Sequence, residues 1–167
     1  MAIVKKLKQH PPLPPSRYEV GIYCRVSTAS KTQVVSAGHQ MFGLIADVAN
    51  SQQVRLYDVY LDIQSGRTSD NHKNLMRLLD DCKAGRVTLV YTKSISRFAR
   101  NTVDVLTIVR ELKKMNVPVY FENEQLYSFD KEAELAISLH GAIAQGESEN
   151  KSENIKWSLD KAAQNPA

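Results

Sequence analysis

Tyr18-Glu19-Val20-Gly21-Ile22-Tyr23-Cys24 is a short apolar run that closes on Arg25-Val26-Ser27. It reads as a strand, the first of several that alternate with helices. Residues Ser36 to Ala49 carry Met41, Leu44, Ile45 and Val48 at the spacing of one helical face. Leu56 to Leu61 is a second strand, rich in valine and tyrosine. His72 to Ala84 repeats the helical spacing with Leu75, Leu78, Leu79 and Cys82, and Gly85 supplies a C-terminal stop. Thr88 to Thr92 is a third strand. Asn101 opens another helix with Asp104 three residues on, as in a capping box, and with Val103, Leu106, Val109 and Leu112 on its inner face. Asn116 and Pro118 end that helix, and Val119 to Glu122 is a fourth strand. This alternation predicts an α/β fold, a mostly parallel central sheet flanked by helices on both faces. In such sheets ligands bind beyond the carboxyl ends of the strands.

The 167 residues suffice for one domain with a sizeable core, and 43% of them are hydrophobic. A formal net charge of +4 suits a polyanionic partner without arguing for one alone. Cys24 lies in the apolar strand and Cys82 on an apolar helix face, so both read as buried reduced thiols. Neither belongs to a CxxC or Cys/His cluster of the kind that binds metal. No apolar run approaches the length of a membrane span and no secretory signal precedes the first strand. A cytoplasmic protein is therefore expected.

Three segments are expected. Residues 1–16, with Lys5, Lys6, Lys8 and Pro11, Pro12, Pro14 and Pro15, read as a flexible basic arm of polyproline character. Residues 17–130 form the core, and 131–167 a long C-terminal helix. That last stretch holds no proline up to Gln164, and a continuous helix from Lys131 would reach about 50 Å. Leu135, Leu139, Ala142 and Ile143 give its first half an apolar stripe, suited to a partner chain or to packing across its own sheet. The chain stops at Ala167 without a closing element and reads as a fragment of a longer protein.

Three strand ends point the same way. The first delivers Arg25 and Ser27, the second Asp62 and Ser65, and the third the run Ser96-Arg97-Phe98-Ala99-Arg100. The spacing of Arg97 and Arg100 puts both on one helical face at a helix entry. Guanidinium forks bind phosphate oxygens two at a time and stay protonated. A serine hydroxyl is a weak nucleophile, but clustered positive charge stabilises both its developing alkoxide and a five-coordinate phosphorus. One hydroxyl and three guanidinium groups can thus attack a phosphodiester without a metal. Taken singly, each arginine would serve as an ion-pair partner of Asp58, Asp62 or Asp104, and Ser27 as a turn or cap residue. Their joint placement at converging sheet ends favours the catalytic reading.

Several ordered motifs resemble one known family. Tyr23-Cys24-Arg25-Val26-Ser27-Thr28 with Gln33, Ser36 and Gln40 is similar to the opening signature of the serine recombinases (resolvases and invertases). Asp62-Ile63-Gln64-Ser65-Gly66 matches the second block, and Thr92-Lys93-Ser94-Ile95-Ser96-Arg97-Phe98-Ala99-Arg100-Asn101-Thr102 the third. Val119 to Glu122 and Ala144-Gln145-Gly146-Glu147-Ser148 complete the set. The Ser-Arg-Phe-Ala-Arg form most resembles the large serine recombinases of conjugative transposons and prophages.

The resemblance implies a resolvase-like catalytic domain acting on double-stranded DNA. Ser27 would be the nucleophile, forming a 5′-phosphoseryl link and freeing a 3′-hydroxyl. Arg25, Arg97 and Arg100 would bind the scissile phosphate, while Gln33, Gln40, Asp62 and Ser65 would order the site. It further implies homodimers and tetramers formed through the C-terminal helix, which would carry Glu153 near the site. It implies neither cofactor nor metal, and places DNA-recognition domains downstream of this chain. By spacing, His72 takes the place of an arginine that the second block normally carries. That substitution motivates an alternative, a catalytically impaired dimerising or regulatory module. A metal-dependent nuclease built on Asp58, Asp62 and Asp80 is a further, weaker reading.

Overall fold

The computed structural model of the protein describes residues 18–27, 41–50, 54–64, 72–99 and 101–143. In chain order they form β1 (Tyr18–Ser27), α1 (41–49), β2 (Val54–Gln64), α2 (Lys73–Lys83) and β3 (Leu89–Thr92). There follow α3 (Ile95–Phe98), α4 (Thr102–Lys114), β4 (Val119–Phe121), β5 (Leu126–Tyr127) and α5 (133–143). The basic arm and the chain beyond residue 143, Glu153 included, lie outside the described residues, as do Gln33, Gln40, Ser65 and Arg100. Among the described residues no helix is long and apolar enough to cross a membrane.

The sheet order is β2-β1-β3-β4-β5. The pairs β1/β2, β1/β3 and β3/β4 are parallel, as the alternation predicted. β5 was not expected. It is two residues long, pairs antiparallel with β4, and carries no periodicity to betray it.

Helices cover both faces. Leu75, Leu78 and Cys82 of α2, Val105, Val109 and Leu112 of α4, and Ile137 of α5 pack against Tyr23, Tyr60, Val90 and Phe121. On the opposite face Leu44 and Val48 of α1 pack against Ile22, Leu89 and Tyr91. Both cysteines are buried and reduced. Gly21 admits α2 closely: a Cβ there would lie 2.8 Å from Leu78 Cδ1. Gly85, at φ 72, takes the left-handed turn that ends α2.

Two details of phase depart from simple periodicity, the second also from the inner face expected of α4. β2 carries one residue more than β1 between the pairs Val20↔Leu56 and Gly21↔Asp58, a bulge at Tyr57. The bulge inverts the alternation. Val54 and Leu56 before it, and Val59 and Leu61 after it, pack toward α1, so Tyr60 packs toward α2. On α4 the inner face is Val105, Val109 and Leu112, whereas Val103 in the first turn is 72% exposed.

The start of the C-terminal helix settles which of its faces packs on the domain. Ala133 and Ile137 are buried, one turn apart. Leu135, Leu139 and Ile143 point outward and are 55–61% exposed. The apolar stripe read from the sequence is therefore not the face packed on this chain's own core.

Candidate active site

β1 lies between β2 and β3, so the chain leaves β1 toward one side and returns on the other. That reversal is a topological switch point, where a crevice opens beyond the carboxyl ends of adjacent parallel strands. Arg25 and Ser27 end β1 there. In register across β2 they face Asp62 and Gln64. On the other side β3 stops level with Tyr23, and its continuation through Lys93 and Ser94 into α3 borders the end of β1.

Arg25 joins the two sides. Its Nη2 donates to the carbonyl of Ser96 at 2.6 Å and to that of Ala99 at 3.2 Å. Those carbonyls flank Arg97, which is exposed in the single turn of α3 and makes no ion pair among the described residues. The guanidinium of β1 thus holds the backbone that presents a second guanidinium. Asp58 pairs instead with Arg77 at 3.1 Å, and Asp104 accepts from the Asn101 side chain, so neither is the partner of Arg97 among the described residues.

The short helix is fixed from other directions as well. Phe98 is wholly buried, with its ring edge-on to Tyr23 at 5.8 Å and to Phe121 at 5.5 Å. Glu124 Oε1 and Oε2 accept from the N–H of Ile95 at 3.4 Å. Lys93 is paired with Glu122 at 2.6 Å. Ser94 and Ser96 exchange a hydroxyl hydrogen bond at 3.2 Å. Helix geometry ends at Phe98, since Ala99 is extended (φ −142, ψ 176), and α4 begins only after Asn101. The expectation of one helical face shared by Arg97 and Arg100 is corrected accordingly: an extended residue separates the two positions.

Asp62 is buried and accepts three hydrogen bonds. Tyr23 O–H donates to it at 3.0 Å, and the N–H groups of Asn74 and Leu75 at 3.0 and 3.1 Å. The last two are first-turn amides of α2, which its N-cap residue His72 leaves without a side-chain acceptor. Asp62 therefore caps α2 from the neighbouring strand, and Asn74 completes the joint by donating Nδ2 to the Leu61 carbonyl at 2.7 Å. A carboxylate so used fixes the start of α2 against the end of β2. His72 Nδ1, at the same corner, is buried and has no hydrogen-bond partner among the described residues.

Burial and the Asp62 carboxylate push the Tyr23 hydroxyl well above the ordinary tyrosine range, so it stays a donor. Burial pushes the Cys24 thiol up to about 11. At neutral pH that thiol is protonated and does not compete with a neighbouring hydroxyl as nucleophile. Asp58, Asp62 and Asp80 are not drawn together: the first pairs with Arg77, the second caps α2, and the third is exposed on α2. No group of three potential metal ligands occurs among the described residues.

The model of the "Resolvase, N terminal domain" family matches residues 20–166. The chain belongs to the resolvase family. A resolvase-family site-specific recombinase from Streptococcus pneumoniae is similar in structure, with a TM-score of 0.61 and 26% identity over 89% of this chain and 100% of that one. The N-terminal catalytic domain of TP901-1 integrase gives 0.50 at 21% identity, covering 78% of this chain and 97% of its own. The C-terminal catalytic domain of an IS607-like serine recombinase, ISC1926 TnpA, gives 0.54 at 21% identity over 88% and 99%. No curated protein matches the chain.

Within this resolvase-family domain, sequence reading set Arg25, Arg97 and Asp62 near strand ends, where they lie, but gave no role to Tyr23 and Asn74. Both act across the fold on partners distant in sequence. One signal was available: a helix opening at His72 with no serine, threonine, asparagine or aspartate at its cap needs an acceptor from elsewhere.

Proposed function

We propose that this chain is the catalytic domain of a site-specific DNA recombinase of the transposon and prophage branch, with Ser27 as nucleophile. The observation that carries the reading is the junction at the switch point. Arg25, two residues before Ser27, is bonded to the very backbone that displays Arg97. Segments carrying two arginines, from separate strand ends, are thereby joined two residues before one serine.

In the proposed reaction the Ser27 oxygen attacks phosphorus as its hydroxyl proton is lost. The 3′-oxygen of the preceding nucleotide leaves and takes up a proton, and the 5′-phosphate is now esterified to serine. Arg25, Arg97 and Arg100 stabilise the charge on the phosphoryl oxygens. Gln33, Gln40, Asp62 and Ser65 order the surrounding segments. A 3′-hydroxyl from another strand then attacks the phosphoserine, restoring a phosphodiester and freeing Ser27. One phosphate ester is exchanged for another in each step, so no metal or nucleotide is called for. Exposed Leu135, Leu139 and Ile143 support pairing of subunits through the C-terminal helix, as dimers that join two DNA sites in a tetramer.

A second reading, an impaired dimerising module, draws on His72. It stands where an arginine is expected, and its Nδ1 is buried without a partner among the described residues. Covalent trapping separates the two. Wild type and Ser27→Ala, in EDTA, are incubated with element-end DNA nicked near the crossover. A protein–DNA adduct in wild type alone supports the recombinase. No adduct, with dimerisation and DNA binding intact and an active relative trapped in parallel, supports the module.

A further inference from the structure

Gly141 occupies the third turn of the buried face of α5, after Ala133 and Ile137. It rests directly on Thr102, the first residue of α4. A Cβ built on Gly141 would lie 1.6 Å from Thr102 Oγ1, 2.6 Å from its Cβ and 2.8 Å from its Cγ2. Turning the threonine to another rotamer would not relieve this, because its Cβ stays in place whatever χ1 becomes. The helix backbone is in contact with the threonine side chain, and only glycine fits between them.

A second contact defines how α5 lies. Glu134, near its start, pairs with Arg110 of α4 at 2.6 Å. Glu134 meets the far part of α4 and Gly141 its first residue, so the two helices run antiparallel. The outward stripe of Leu135, Leu139 and Ile143 belongs to the same helix. Thr102 in turn follows the Asn101 cap, and Ala99, three residues earlier, gives its carbonyl to Arg25.

We propose that the Gly141–Thr102 contact is a positioning link that sets the entry of α4, and with it the Arg97 segment, from the placement of the C-terminal helix. Its bearing on cleavage rests on the recombinase reading above. Whatever seats the outer stripe of α5 also fixes, through this contact, the backbone that Arg25 holds. Gly141 and Thr102 touch no substrate and act only through that backbone.

The test is a double-mutant cycle on the full chain with Gly141→Ala, Thr102→Gly and the pair, because the second substitution removes the Cβ that blocks the first. Two quantities are read: adduct formed per bound complex on nicked DNA, and amide exchange of residues 95–105 without DNA. Gly141→Ala is expected to cleave about 10²-fold more slowly at unchanged DNA affinity, and to exchange faster over 95–105. The double variant is expected to recover both. Wild-type behaviour of Gly141→Ala overturns the proposal, and so does a double variant no better than Gly141→Ala. If Gly141→Ala does not fold, Thr102→Val, which enlarges one contacting atom, is read in the same way. If wild type itself forms no adduct, the recombinase reading fails, and the exchange arm alone decides the link: loss restored by Thr102→Gly upholds it, and no loss overturns it.

Discussion

Arg25 Nη2 donates to the main-chain carbonyl of Ser96 at 2.6 Å, tying the end of β1 to the turn that carries Arg97. The same nitrogen reaches the Ala99 carbonyl at 3.2 Å. Removing it frees both carbonyls and loosens the single turn between them. Arg25→Ala is predicted to lower DNA cleavage by about 10²–10³-fold, on the scale of other lost oxyanion donors, at nearly unchanged thermal stability. Arg25→Lys is predicted not to rescue, because a lone ammonium that holds these carbonyls has no second nitrogen to offer phosphate, as a planar guanidinium does. Adduct formation on nicked DNA measures both.

Asp62 acts as a distant cap for α2, so its replacement registers first in stability. Asp62→Ala leaves two helix amides and the buried Tyr23 hydroxyl without their acceptor. A cost of about 1–3 kcal/mol or more is expected from the stranded groups. Tyr23→Phe keeps the ring against Phe98 and removes one donor, for about 0.5–1.5 kcal/mol. Urea unfolding of the two single variants and the double should show non-additivity, since the residues share one hydrogen bond.

Asp81 is the second buried carboxylate, and its prediction concerns pH. Burial by itself would raise its carboxyl. Hydrogen bonds from Tyr60 and Arg86, the latter also 2.6 Å away as an ion pair, outweigh burial and hold it below the usual carboxylate range. A carboxylate depressed in the folded state stabilises fully above its unfolded value near pH 4, and the contribution fades as pH falls through the folded value. Wild type is therefore predicted to lose more stability between about pH 4 and pH 2 than Asp81→Asn does. Thermal melts across that window measure the difference.

Much of this architecture was legible because long periodic segments dominate it. The four parallel strands and helices α2 and α4 each carry several apolar residues at one spacing, and Asn101 with Asp104 marked a helix start correctly. The features that escaped were local and aperiodic. β5 is held by two residues and by the Ser128 hydroxyl accepting from the Val119 N–H. Ala99 breaks α3 from α4 although no glycine or proline announces it, and its extended backbone is held by Arg25 from another strand. The Tyr57 bulge is invisible in β2 alone, since it exists only relative to β1. At the strand ends, the placement of Arg25, Asp62 and Arg97 was readable, whereas the service of Tyr23 and Asn74 depends on contacts that only the folded chain makes.

The central claim is that Ser27 forms the covalent bond to DNA, and mapping that bond tests it most directly. Adduct trapped on nicked DNA in EDTA is digested with nuclease and protease and sequenced by mass spectrometry. The predicted product is a nucleotide remnant joined through its 5′-phosphate to the peptide containing Ser27, with none in Ser27→Ala. A remnant on any other residue, a 3′-linked remnant, or an adduct that survives Ser27→Ala would contradict the claim.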